Sequence, residues 1–90
     1  MVAGFEWDEA KRATNLATHG IDFQAALTIW LGPVIDRRSD RSGEERYTTV
    51  GVARGRVIAV VWTPRNDARR IISARAARRN ERQDYAANAE

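Results

Sequence analysis

With 90 residues, the chain is long enough for one domain with a modest core, and its 43% apolar and 30% charged residues mark it as globular and not disordered. The absence of cysteine and the presence of a single histidine exclude disulfides, thiolate nucleophiles and zinc–cysteine or multi-histidine metal sites. The formal charge of +3 comes from one end: residues 1–64 carry eight Lys and Arg against eight Asp and Glu, and residues 65–90 carry seven Arg against four acids.

No apolar N-terminal segment follows a basic region and no apolar run reaches bilayer length, so a cytoplasmic protein with no membrane partner is expected. Phe5-Glu6-Trp7 alternates apolar and polar residues and predicts a short edge strand. Asp8 is a good N-cap, with Glu9 in the first turn of a helix running to His19 and stopped by Gly20. Its apolar stripe, Ala10, Ala13, Leu16 and Ala17, is thin. On the other side Lys11, Asn15 and His19 fall at i, i+4 and i+8 and share one face. Asp22 can cap a second helix in which Phe23, Ala26, Leu27, Trp30 and Leu31 give the strongest helical periodicity in the chain, which makes it a core helix. Gly32-Pro33 ends it, Val34-Ile35-Asp36 starts a strand, and Arg37 to Gly43, with no apolar residue, is expected to be an exposed, mobile loop.

Three strand-like runs follow, Glu45 to Val52, Arg56 to Thr63 and Arg69 to Ala76, joined by Arg54-Gly55 and by residues 64–68. Such short links predict an antiparallel meander. Val57 to Trp62 is apolar on both faces, as in a central strand covered on each side. Simple alternation along the third run sets Arg69, Ile71, Ser73 and Arg75 on one, open face and Arg70, Ile72, Ala74 and Ala76 on the other. Guanidinium forks on an open face suit a phosphate; the alternative is a solvated or partner-binding arginine face. The tail, Ala77 to Ala89, is rich in helix formers, but Tyr85 is its one large apolar residue, so it predicts a helix with little to bury. The sum is an α+β fold, a single domain over residues 1–90 with element order β-α-α-β-β-β-β-α.

The opening Phe5-Glu6-Trp7-Asp8 with Lys11, Asn15, His19-Gly20-Ile21, Phe23 and Ala26, the central Gly43-Glu44-Glu45-Arg46, and the closing Arg70-Ile71-Ile72-Ser73-Ala74-Arg75 with Glu81 and Tyr85 resemble the BrnT family of toxins. The resemblance spans nearly the whole chain. Where the family usually shows Lys-His-Gly, this chain has Thr18-His19-Gly20. The resemblance implies a twisted antiparallel β-sheet packed against helices, similar to RelE-like toxins, and metal-independent RNA cleavage without a cofactor. It also implies a BrnA-type antitoxin that binds both the toxin and operator DNA. Such a chain would form a toxin–antitoxin hetero-oligomer and meet DNA only through the antitoxin.

RNA cleavage without a metal usually proceeds by attack of the ribose 2′-hydroxyl on the adjacent phosphate. It needs a base, an acid and cations for the dianionic transition state. The catalytic candidates are His19, Glu44, Arg46 and Arg75. Histidine has an ordinary pKa of about 6.5, suited to both proton transfers. Glu44 and Glu45 are alternatives as base or as the group that orients Arg46; on a regular strand Glu45 and Arg46 face opposite ways, which makes Glu44 with Arg46 the self-consistent pair. Arg75, with Ser73 beside it, is the preferred stabiliser of the phosphorane, and Arg70 or Arg46 the second cation. Lys11, Arg70, Ser73 and Trp7 are the substrate-contact candidates, Trp7 through base stacking, with core packing as its alternative. The competing functions are a nucleic-acid-binding module without catalysis and a partner-binding unit.

Overall fold

The apolar run Val57 to Trp62 has no polar side to turn to water, and it takes the middle of a five-stranded sheet. The computed structural model describes residues 4–89. Its strands are β1 (Gly4–Glu6), β2 (Ile35–Arg38), β3 (Tyr47–Ala53), β4 (Arg56–Arg65) and β5 (Ala68–Ala76), in spatial order β1-β5-β4-β3-β2. β2 to β5 form the expected antiparallel meander. β1, however, pairs with β5 in parallel, so the sheet is mixed and not wholly antiparallel. The chain crosses one face of the sheet as helix before the meander begins, and this long connection frees β1 from the alternating direction that short hairpins impose.

Arg54 and Gly55 both have positive φ, 51° and 77°, as a two-residue hairpin turn requires. The next turn is tighter than the sequence suggests. Pro64 and Arg65 remain paired in β4, and Asn66-Asp67 alone closes the hairpin, with Asn66 at φ 57°. The polar segment after β2 is also ordered: Ser39 N–H donates to Arg46 O, and Arg41 and Glu44 exchange two backbone hydrogen bonds. The expected mobile loop is a hairpin extension that brings Arg41, Glu44 and Arg46 into fixed relation.

Helix α1 (Glu9–His19) begins where Asp8 accepts from the N–H groups of Ala10 and Lys11, and ends at left-handed Gly20. It packs on β5 in reverse of the pattern its apolar residues suggest. Ala10, Ala13, Leu16 and Ala17 are exposed, and the buried residue is Asn15. The reason is a strand edge. Beyond β1 the outer edge of β5 has no strand partner, and Asn15 takes that place, donating to Ala74 O and Ile21 O at 2.9 and 2.8 Å and accepting from Ala74 N–H at 3.1 Å. A leucine would fill similar space and leave the buried peptide groups unpaired. Asn15→Leu should therefore lower stability by about 2–4 kcal/mol, read from urea unfolding, with most of the native secondary structure kept.

Helix α2 (Phe23–Ala26) passes at once into a 3₁₀ turn, Leu27–Leu31, so the predicted single helix is broken. The tighter turn brings Ile29 inward three residues after buried Ala26, and Leu31, at 88% exposure, is turned out of the core its helical spacing predicts. Ile29 lies directly on β3, where Gly51 has no room for a β-carbon: one placed there would be 2.8 Å from Ile29 Cβ. Asp22 sits at the N-cap but its carboxylate holds Arg12, at 2.6 and 2.9 Å, and caps nothing. The main core lies on this face, among Phe23, Ile29, Ile58, Val60, Trp62 and Ile71. Helix α3 (Arg79–Asn88) covers part of the opposite face, where Tyr85 packs with Val50, Ala59 and Ala77 and donates to Pro33 O. No described helix is long and apolar enough to cross a membrane.

Candidate active site

The arginine-bearing strand does not alternate regularly. Opposite β4, Trp62 faces Ile71 and Val61 faces Ser73, so Ile72 is an extra residue, a β-bulge. Its consequence is a change of face halfway along β5. Arg70, opposite Thr63, joins Ser73 and Arg75 on the face shared with α3, and Arg69 goes with Ile71 and Ala74 to the helical face. This corrects the grouping read from simple alternation, which joined Arg69 to Ser73 and left Arg70 on the other side. Arg69 is instead wedged 4.8 Å from the ring centroids of both Trp30 and Trp62, where burial lowers its pKa.

Two grooves meet at the bulge. The first, of about 390 Å³, is bounded on α1 by Lys11, Thr18 and His19 and on β5 by Ile72 and Ser73. The second, of about 360 Å³, holds Arg41, Arg46, Arg75 and Arg78 over Thr48, and is bounded by the same Ile72 and Ser73. His19 and the arginines thus open onto adjoining concavities with Ser73 at their common wall. Lys11 and His19 flank Asn15 on α1, and it is the anchoring of Asn15 to Ala74 that holds them beside β5. Thr18, the departure from the usual Lys-His-Gly, lines the first groove next to His19.

The arginines are not equally free. Arg75 donates to Glu81 of α3 through both terminal nitrogens, at 2.7 and 2.9 Å, and both side chains are largely buried. The hydrogen bonds to Glu81 raise the pKa of Arg75, and those same bonds hold Glu81 down at about 2. Glu81 also accepts from Arg78 N–H and so closes the first turn of α3. Arg46 donates through Nε to Glu44 at 2.6 Å, which leaves its terminal nitrogens for other acceptors. Glu45 lies on the other side, accepting from Tyr47 Oη at 2.5 Å, as strand alternation from Arg46 requires. Arg70 donates to Glu6 of β1 at 2.7 Å. Among the described residues, Arg41 and Arg78 have no ion-pair partner. Neither belongs to the sequence candidates. Arg78 follows β5 and precedes α3, and Arg41 lies in a segment whose ordering only the fold reveals.

Trp7 lines neither groove. Its ring meets Phe23 edge-on at 6.1 Å, Arg12 lies over it at 5.6 Å, and Nε1 donates to Glu9. The core-packing alternative describes it. No three His, Asp or Glu side chains among the described residues are grouped as metal ligands would be.

Residues 7–81 match the family described as the ribonuclease toxin, BrnT, of type II toxin–antitoxin system. The chain belongs to the BrnT family. It is also similar to the crystal structure of the Brucella abortus ribonuclease toxin BrnT, with 32% identity and a TM-score of 0.66 over 84% of this chain and 97% of that one. No curated protein matches it in sequence. The BrnT match takes in both grooves and ends at Glu81, so the Arg75–Glu81 pair lies within it and the rest of α3 beyond it. For a BrnT-family chain, an antitoxin partner and an RNA target follow from membership.

Proposed function

We propose that this chain is a metal-independent endoribonuclease that arrests growth by cutting RNA and is neutralised by a BrnA-type antitoxin in a cytoplasmic hetero-oligomer, on a fold akin to RelE-like toxins. The carrying observation is the wall shared by the His19 groove and the arginine groove at Ile72-Ser73. A phosphodiester seated over Ser73 has an imidazole on one side and guanidinium groups on the other. His19 takes the proton of the 2′-hydroxyl as the new P–O2′ bond forms. The P–O5′ bond breaks, the 5′-oxygen collects a proton from solvent, and the product ends in a 2′,3′-cyclic phosphate. The terminal nitrogens of Arg46 stabilise the dianionic phosphorane, with Glu44 holding that guanidinium in place. Arg75, committed to Glu81, contributes its remaining donor capacity and its position. Lys11, Arg41 and Arg78 guide the flanking phosphates, Ser73 hydrogen-bonds a phosphoryl oxygen, and Arg70 adds positive charge farther along the same face.

Purified chain incubated with a long RNA should produce new ends carrying 2′,3′-cyclic phosphate, at the same rate with and without EDTA. Cleavage that stops on chelation would overturn the metal-independent mechanism. Salt-sensitive RNA binding with no new ends would reduce the function to a nucleic-acid-binding module.

A further inference from the structure

The exposed apolar stripe of α1 has no role in the fold or in the proposed chemistry. Ala13, Leu16 and Ala17 face outward, with Leu16 at 49% exposure. α1 separates two grooves: Lys11 and Thr18 line the one already described, and Leu16 borders another, of about 490 Å³, on the helix's other flank. The floor of this second groove is apolar, formed by Ile21, Ala53 and Ile58, and one end is closed by the β3–β4 turn carrying Arg54 and Arg56. Asp22, at its side, is neutralised by Arg12. Among the described residues Arg54 and Arg56 have no ion-pair partner, so the rim of this apolar groove is cationic. Arg54 also adopts φ 51°, a left-handed conformation that glycine, asparagine or aspartate would take at less cost.

We propose that this groove docks an acidic amphipathic helix of the antitoxin. The helix lays apolar residues at i, i+3 or i+4 against Leu16, Ala25 and Ala53 and sets its carboxylates against Arg54 and Arg56. This rests on the toxin reading above, which supplies the protein partner. It puts part of the antitoxin grip on the flank of α1 that does not line the cleavage grooves, so grip and cleavage can be varied separately.

The test uses the full chain and its full-length antitoxin, recovered from their complex, with affinity read by calorimetry. Leu16→Glu should weaken binding by about tenfold or more, placing a charge against the apolar face of the docked helix. Arg54→Gly combined with Arg56→Gln should weaken it several-fold and flatten its salt dependence; glycine at position 54 relieves the left-handed strain and keeps the turn. Leu16→Ser is the milder companion variant, and thermal unfolding checks that each variant folds. RNA cleavage by the free variants should match that of the parent chain. Unchanged affinity in folded Leu16→Glu and in the arginine double variant overturns the proposal. So does loss of RNA cleavage at unchanged affinity, which would give the groove to RNA, or self-association abolished by Leu16→Glu, which would give it to a second copy. If antitoxin binding depends on Leu16 and the parent chain makes no RNA ends, the ribonuclease reading fails and the docking site stands.

Discussion

His19→Ala is expected to cut RNA at least about 100-fold more slowly than the parent chain, the usual cost of removing a positioned proton-transfer group. Its melting temperature should not change, because His19 is exposed at the last position of α1 and lies outside both apolar clusters. RNA binding should be retained, since Lys11 and the arginines proposed to contact the phosphates are untouched. Cleavage and binding assays on one preparation separate the two effects. A variant that cleaves at the parent rate would remove the imidazole from the mechanism and leave the groove as a binding surface.

Arg75→Ala is expected to fail differently, in stability as well as in activity. Arg75 and Glu81 have side-chain exposures of only 19% and 13%. Removing the guanidinium leaves a largely buried carboxylate without its bidentate partner while it still holds Arg78 N–H. The expected loss is about 2–4 kcal/mol in urea unfolding, below the full penalty of a completely buried orphan charge. Adding Glu81→Gln should restore part of it, because the group left behind is then neutral. The pair also sets a pH dependence. Glu81 has a folded pKa of about 2, against an ordinary 4.5. Its stabilisation is therefore fully present above the unfolded value and is lost as pH falls through that window toward 2. The stability difference between the parent chain and Glu81→Gln should be constant near neutral pH and shrink through this acid range. A difference independent of pH would show that the carboxylate's charge does not contribute.

Much of the architecture could be read from the linear chain. The element order, the central position of Val57 to Trp62, the Asp8 cap, the Gly20 stop and the Arg54-Gly55 turn follow from local properties: side-chain alternation, helical spacing and the φ preferences of turn residues. The Glu44–Arg46 pairing, with Glu45 turned away, followed from the same alternation. Three features did not follow, and each depends on what lies across space. The apolar stripe of α1 faces water because the unpaired edge of β5 needs a hydrogen-bonding side chain more than it needs alanines, and Asn15 supplies it. The predicted second helix tightens to 3₁₀ so that Ile29 can reach the bare backbone at Gly51. A single extra residue at Ile72 moves Arg69 among aromatic rings and brings Arg70 to the face of Ser73 and Arg75.

The amino-acid order alone thus determined which segments become strand or helix, the family they belong to, and the short roster of groups able to handle a phosphate and a proton. The tertiary structure decided which of those groups share a wall, which guanidinium groups are already held by carboxylates, and which apolar surface is left exposed. Local periodicity records the two faces of each element but not which face its neighbour covers. That choice is made by unpaired strand edges, bulges, ion pairs, and hydrogen bonds between residues as distant in sequence as Asn15 and Ala74.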